Sequence, residues 1–377
     1  EGVKGISLFI VPKVLVNADG SLGERNDVKC VSLEHKLGIH ASPTCVLAYG
    51  EGKGAIGYLV GEENRGLETM FIMMNHARLG VGLEGAALAE RAYQHALEYA
   101  KTRVQGRAIG QRSGDRVTII HHPDVRRMLM VMKAQTEAMR ALAYTASAAL
   151  DLSRHHPDDP ERRRNQALVD LLIPIVKGWC TESSIEVAST GIQIHGGMGF
   201  IEETGAAQFL RDARITTIYE GTTGIQANDL IGRKIAREGG ATLQGVLALM
   251  RQTEAELGRQ DGAEFAVIKD ALHQGIAAVA QAAEYIVANY AGDIRGVSVG
   301  AVPFLKLMGI VTGGWQMARA ALAAQAKIAG GDADPFYPAK LVTARFYADH
   351  VLSVAPGLAH AVVRGGAGAM TLAEEML

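Results

Sequence analysis

Short apolar stretches with β character occupy the first sixty or so residues, and helical periodicity occupies the rest. Segments 6–11, 28–31 and 44–49 are rich in β-branched and aromatic side chains, and Asn17-Ala18-Asp19-Gly20 and Gly50-Glu51-Gly52 supply turn chemistry between them. An antiparallel β unit is the prediction. From Gly66 onward the apolar spacing becomes helical and predicts helices over 66–103, 123–153, 161–194, 221–237, 241–260, 263–291, 299–331 and 337–375, the last interrupted near Pro356. Pro123 and Pro160 stand at or before helix starts, while Gly239-Gly240 and Gly330-Gly331 stand beyond helix ends. The fold class is therefore mainly α with a partial antiparallel β domain.

Composition adds three limits. The chain has 377 residues, 48% of them hydrophobic and 21% charged, which is the make-up of a folded globular protein. Lys and Arg number 38 against 40 Asp and Glu, a net charge of −2, so neither nucleic acid nor an anionic membrane surface is expected as the main partner. No uncharged apolar run reaches the length of about 18 residues that a membrane span requires. Cys30, Cys45 and Cys180 are odd in number and far apart, which fits reduced structural thiols in a cytoplasmic or organellar-matrix compartment. The chain opens Glu1-Gly2-Val3-Lys4 without a methionine, and the expectation is that it begins partway through a larger protein.

Two glycine patterns imitate a dinucleotide fingerprint. Gly52-Lys53-Gly54-Ala55-Ile56-Gly57 follows a strand, but Tyr58-Leu59-Val60 after it reads as another strand rather than the helix a phosphate needs, so a hairpin turn is expected. Gly80-Val81-Gly82-Leu83-Glu84-Gly85 lies inside a helical pattern, where helix packing or a kink accounts for it. His121-His122 and His155-His156 lack metal-ligand spacing, and no metal is expected.

The segment with chemical content runs from Gln193 to Gln226. Gln193-Ile194-His195-Gly196-Gly197-Met198-Gly199-Phe200 closes a helix with three glycines in four residues, which allows a close backbone approach to a ligand or serves as a helix C-cap. Further on, Ile218-Tyr219-Glu220-Gly221-Thr222 places a carboxylate after an apolar-aromatic stretch and at the start of a helix. Such a carboxylate is half-buried, and is either a helix cap or a base.

Together with Leu210-Arg211-Asp212-Ala213, these motifs in this order and spacing make the chain resemble the acyl-CoA dehydrogenase family. Lys36-Leu37-Gly38-Ile39-His40-Ala41-Ser42-Pro43-Thr44 and Asn75-His76-Ala77-Arg78 extend the resemblance over about residues 1–237. The remainder resembles the extra helical domain of the longer family branch, which includes the methylthiopropionyl-CoA dehydrogenases. The resemblance implies three parts: residues 1–62 as the C-terminal part of the β domain, 63–240 as the helical dehydrogenase domain with its four-helix bundle, and 241–377 as the extra helical domain.

It also implies a function. Glu220 would take the α-proton of an acyl-CoA thioester while the β-carbon passes hydride to FAD, giving a trans-2-enoyl-CoA. A carboxylate gains the basicity for this by desolvation, and backbone amides can hold the developing enolate charge. Arg103 would contact the FAD diphosphate of a neighbouring subunit, Gln193, Gly196 and Gly197 its adenosine end, and Thr222 the flavin nucleotide of its own subunit. Asn75 and Arg78 would line the substrate cleft, with Tyr219 and Gly221 flanking the base. Other branches place the base where this chain has Ala77, which leaves Glu220 as the candidate. Electrons would leave to an electron-transferring flavoprotein, from a homo-oligomer, dimer or tetramer.

Departures from the family pattern concern the cofactor. Val104-Gln105-Gly106 stands where many members carry a Thr-Phe pair, while Pro123 and Gly224 replace frequent glutamines. The N-terminal helical domain and the first half of the β domain, which hold the flavin ring, are not recognised in this chain, so an upstream segment is needed to complete the flavin site. Two other functions remain compatible with the same residues: an acyl-CoA oxidase using the same base, and a non-catalytic assembly or partner-binding fragment.

Overall fold

A computed structural model of the chain describes residues 2–376; Glu1 and Leu377, with which the first and last expected domains begin and end, lie outside the described residues. The chain divides into two compact units, the first ending at Ala77 and the second beginning at Arg78.

The first unit holds three antiparallel ladders. Strand β1 (Leu8–Ile10) pairs with β6 (Tyr58–Val60), β2 (Val14–Val16) with β3 (Leu22–Arg25), and β4 (Val28–Leu33) with β5 (Cys45–Tyr49). The Asn17-Ala18-Asp19-Gly20 turn joins β2 to β3, a hairpin whose strands are too short to stand out in the apolar pattern. No strand residue is buried within this unit, which is the surface a partial β domain presents.

The expected hairpin at Gly52–Gly57 is corrected. Strands β5 and β6 flank it but belong to different ladders, so it is a connecting loop. Its amides converge as a phosphate-binding loop's would, and the anion they hold is internal: Gly52 N, Lys53 N and Gly54 N donate to Asp27 Oδ2 at 2.7, 2.8 and 3.2 Å. These bonds hold the Asp27 carboxyl below the usual carboxylate range, the Gly52 amide contributing most. Beside it, buried Asn26 bonds the carbonyls of Pro12 and Ile56 at 2.9 and 2.8 Å and accepts from the Ile56 amide at 2.9 Å.

Helix α1 (Gly66–Thr102) is followed by α2 (Pro123–His155) and α3 (Asp159–His195), the last carrying Pro174 inside it. Within the second unit, α1 and α3 run parallel at very close approach. A Cβ at Gly82 would lie 2.5 Å from Val176 Cγ1, one at Gly85 2.9 Å from the Cys180 carbonyl oxygen, and Tyr99 stacks on His195 at 4.4 Å. Gly82 and Gly85 of the second fingerprint-like pattern thus lie in the seam of a helix pair, while a Cβ at Gly80 would meet nothing within 4 Å. The short helix α4 (Ala206–Arg214), unpredicted, follows, and α5 (Thr223–Asp229) continues as a π-helical segment over Leu230–Ala236 where one helix over 221–237 was expected.

Helices α6 (Ala241–Leu257), α7 (Ala263–Asn289), α8 (Ile294–Val299), α9 (Ala301–Ala329), α10 (Phe336–His350), α11 (Ala355–Arg364) and α12 (Gly366–Thr371) complete the chain. The expected helix over 337–375 is three helices, with Pro356 in the first turn of α11, because proline is tolerated at a helix start and not in its interior. Helix α9 is buried along most of its length, and its Gly309 and Gly313 receive Trp179 of α3. One hydrophobic core therefore runs from α1 through α3 into α9 and α10. No helix among the described residues is long and apolar enough to cross a membrane.

Candidate active site

The site is a turn between two helical segments. A single 3₁₀ turn over Ile215–Thr217 is followed by Ile218 and Tyr219 and then by two consecutive left-handed residues, Glu220 with φ 57° and Gly221 with φ 91°. Thr222 caps α5, its Oγ1 accepting from the Ile225 amide at 3.3 Å. Glu220 therefore stands two residues before the helix cap. Left-handed backbone at a non-glycine residue costs about 1–2 kcal/mol and persists only where the surroundings impose it.

Three buried side chains impose it here. Arg78 Nε and Gln226 Nε2 both donate to the Glu220 carbonyl at 3.3 Å. Gln226 Nε2 also reaches the Gly221 carbonyl at 3.2 Å, and Lys177 Nζ donates to that same carbonyl at 2.7 Å. Gly221 has no room for a side chain, since a Cβ there would lie 2.8 Å from Gln226 Nε2. On either side, the Tyr219 hydroxyl bonds Glu84 of α1, and Thr223 Oγ1 bonds Glu182 of α3 at 2.5 Å. Burial and the Glu84 carboxylate push the Tyr219 phenol far up. Lys177 moves the other way, down to about 8, first through burial and then through Arg78, with Glu182 and Glu220 opposing.

What the turn leaves free is as informative as what it binds. The half-buried Glu220 carboxylate makes no hydrogen bond or ion pair among the described residues, and the Glu220 amide donates to none of them. A base and a donor at one residue are thus uncommitted. Beside the turn opens a cleft of about 510 Å³ lined by Arg78, Ile225, Asn228, Arg233, Arg237 and Tyr290 among others. The π-helical segment forms one wall, with Gly232 letting the hydroxyl of Tyr290, just past the end of α7, approach where a Cβ would be 2.6 Å away.

The expected cofactor residues form a second, separate group. Arg103, just past the end of α1, is exposed and makes no ion pair among the described residues; Gln193, Gly196 and Gly197 are exposed at the end of α3. The Tyr99–His195 stack brings these two helix ends together. Gly196 has φ 60°, and a Cβ at Gly196 or Gly197 would meet nothing within 4 Å. Thr222 lies elsewhere, beside Glu220. Lys177 under the Glu220 turn and Gln193 are 16 residues apart on α3, about 24 Å of helix. Asn75 is exposed on α1 and belongs to the first unit, whereas Arg78, Tyr219, Glu220 and Gly221 are brought together in the second.

Residues 64–235 match the family model of the acyl-CoA dehydrogenase C-terminal domain, and residues 246–373 match that of the acetyl-CoA dehydrogenase C-terminal-like domain. The chain belongs to the acyl-CoA dehydrogenase family. Among its relatives in that family is 3-methylmercaptopropionyl-CoA dehydrogenase of Ruegeria pomeroyi, 53% identical over 93% of this chain and 59% of the relative. Another is the broad-specificity linear acyl-CoA dehydrogenase FadE5 of Mycobacterium tuberculosis, 39% identical over 93% of this chain and 60% of the relative. The fold is shared with an acyl-CoA dehydrogenase complexed with FAD from Bacillus anthracis, at a TM-score of 0.71 and 19% identity, covering 98% of this chain and 62% of that one. The chain spans about three fifths of the length of these curated relatives.

Sequence reasoning missed three residues that hold this turn and its flanks: Lys177, Gln226 and Glu84. For Lys177 a signal existed, a lone charge between Leu171-Leu172-Ile173-Pro174-Ile175-Val176 and Gly178-Trp179-Cys180. Gln226 and Glu84 fall at helical positions where polar residues are ordinary.

Proposed function

We propose that this chain carries the catalytic base of an FAD-dependent acyl-CoA dehydrogenase. The observation that carries this reading is Glu220 itself, a half-buried carboxylate with no internal partner, on a left-handed turn that three buried side chains hold. A carboxylate capping a helix would be bonded to that helix's amides, and here the cap is Thr222.

The chemistry follows from what each group can do. The acyl-CoA enters with its α-carbon toward Glu220, whose carboxylate takes the α-proton. The free Glu220 amide is a donor for the thioester oxygen as enolate charge develops there. Bound FAD would supply the acceptor for the hydride that leaves the β-carbon, and the product would be a trans-2-enoyl-CoA. Arg78, Arg233 and Arg237 line the adjoining cleft against one carboxylate, Asp229, which is paired to Arg233 at 3.1 Å, and the remaining positive charge suits the phosphates of a CoA ester.

The cofactor residues fit FAD in kind. A free guanidinium, an exposed carboxamide and two glycines with open space at their Cβ positions suit a diphosphate and adenosine approaching backbone. Thr222 gives its lone pair to the Ile225 amide and keeps its hydroxyl proton for a nucleotide acceptor. The separation of these groups along α3 supports a cofactor shared between two copies in a homo-oligomer, with Arg103, Gln193, Gly196 and Gly197 serving the neighbour's FAD. Reoxidation by an electron-transferring flavoprotein completes the cycle.

The test is Glu220→Gln in the FAD-loaded full-length protein. The variant should keep its flavin absorbance and lose bleaching by acyl-CoA. Bleaching at the wild-type rate would overturn the assignment.

A further inference from the structure

Lys177 is fully buried in the middle of α3, inside an apolar run where a leucine or methionine would pack without desolvating a charge. Among the described residues its ammonium has one hydrogen-bond partner, the Gly221 carbonyl at 2.7 Å, and no ion pair. The charged groups that act on it through space are Arg78 of α1, Glu182 of α3 and Glu220 of the turn. Helix α9 faces this stretch with an apolar contact, Leu305 against Gly178. The position of this buried cation is thus tied to the carbonyl immediately after the base.

We propose that Lys177 is a positioning residue for Glu220, its ammonium holding the Gly221 carbonyl and thereby locking the left-handed turn that aims the carboxylate. This rests on the reading of Glu220 as the α-proton base. The geometry supplies the link. A left-handed Glu220 is unfavourable on its own, and its conformation is fixed through the two carbonyls that follow its Cα. Gln226 and Arg78 bond the same turn at 3.2–3.3 Å, longer than the Lys177 bond; Gln226 is a neutral donor, and of the two charge-assisted bonds that of Lys177 is the shorter. If Lys177 is lost, the turn can relax toward ordinary backbone, and the direction of the Glu220 Cα–Cβ bond changes with it. Its lowered pKa, about 8, adds a titration within reach of experiment.

The experiment compares wild type, Lys177→Met and Gln226→Leu. In FAD-loaded protein, the limiting rate of flavin bleaching by a straight-chain acyl-CoA series should fall roughly tenfold to a hundredfold in K177M, because a small misplacement of a reacting group costs about that much. Half-saturating acyl-CoA and flavin absorbance should hardly change. The wild-type limiting rate should fall as pH rises through about 8, and this inflection should be absent in K177M. Independently of cofactor and substrate, amide exchange across residues 225–229, the turn of helix that Thr222 caps, should accelerate at least tenfold in K177M. Wild-type protein that no acyl-CoA bleaches overturns the functional reading and the role of Lys177 with it. Wild-type bleaching, with unchanged limiting rate and exchange in K177M, overturns the role of Lys177 alone. Should K177M not fold, Lys177→Gln, whose shorter neutral side chain does not reach the Gly221 carbonyl, takes its place, and an unchanged limiting rate and exchange in that variant overturn the role of Lys177.

Discussion

The indole of Trp179 occupies the space that a side chain at Gly309 would need: a Cβ built at Gly309 lies 2.1 Å from Trp179 Cγ and 2.5 Å from its Cβ. This contact joins α3, which carries Lys177, to α9 of the C-terminal helical region. Gly309→Ala places a methyl against a rigid ring rather than the end of a flexible chain, so repacking cannot be local. We expect a loss of about 3 kcal/mol, at the upper end for overpacking a core, seen as a lower urea midpoint. A midpoint within error of wild type would mean that α3 and α9 are less tightly joined than the contact indicates.

That contact also shows what was readable from sequence and what was not. The long helices α1, α2, α3, α7 and α9 were legible because each keeps its apolar period for more than 25 residues. Helix α4 was not, because nine residues with one strongly polar face offer too short a window. The π-helical segment after Asp229 has the same composition as an α-helix and differs only in hydrogen bonding, which no pattern records. Gly52–Gly57 was misread because a hairpin and a loop between ladders use the same turn residues; strand partners, which are non-local, decide between them. Glu220 was legible through its motif, while the clamp beneath it was not, since Arg78, Lys177 and Gln226 come from three separate helices.

The left-handed backbone at Glu220 reverses an ordinary ranking. At most helical or extended positions alanine is the better replacement, since glycine loses more entropy on folding. At φ 57° the Cβ is what is penalised. Glu220→Gly should therefore be the more stable of the two by about 1 kcal/mol. Both should be inactive in flavin bleaching. Thermal denaturation of the two variants side by side measures this, and an alanine variant as stable as the glycine one would show that the turn is not held left-handed in solution.

Lys177 makes stability depend on pH in a definite direction. Its folded pKa of about 8 lies below the ordinary lysine value of about 10.4. Below pH 8 both states hold the proton, and the cost of burying the charge is fully present. Between about 8 and 10.4 the unfolded chain binds the proton that the native chain has released, so stability rises with pH, by at most about 1.4 kcal/mol per pH unit. Lys177→Met lacks the term. The stability of wild type relative to K177M, taken from urea midpoints on both proteins, should therefore climb from pH 8 to 10; a constant difference would contradict the burial of a charged lysine. Catalysis is expected to fall over the range in which stability climbs, which separates the two roles of one side chain.

Gly197 offers the opposite case to Gly309. Nothing lies within 4 Å of a Cβ built there, and its backbone is not left-handed, so the chain itself tolerates alanine. If Gly196 and Gly197 lie against FAD, however, that open space belongs to the cofactor, and a methyl there displaces it. We expect Gly197→Ala to melt within about 1 kcal/mol of wild type without cofactor and to release FAD faster. Arg103→Ala should act in the same sense, weakening FAD binding by roughly tenfold to a hundredfold, the range for loss of a hydrogen bond to a charged group, while the cofactor-free protein is unaffected because Arg103 has no ion pair among the described residues. Equilibrium titration of FAD into each variant reads the effect directly. If both variants bind FAD as tightly as wild type does, the end of α3 is only a helix terminus, and the cofactor's adenosine must be held elsewhere.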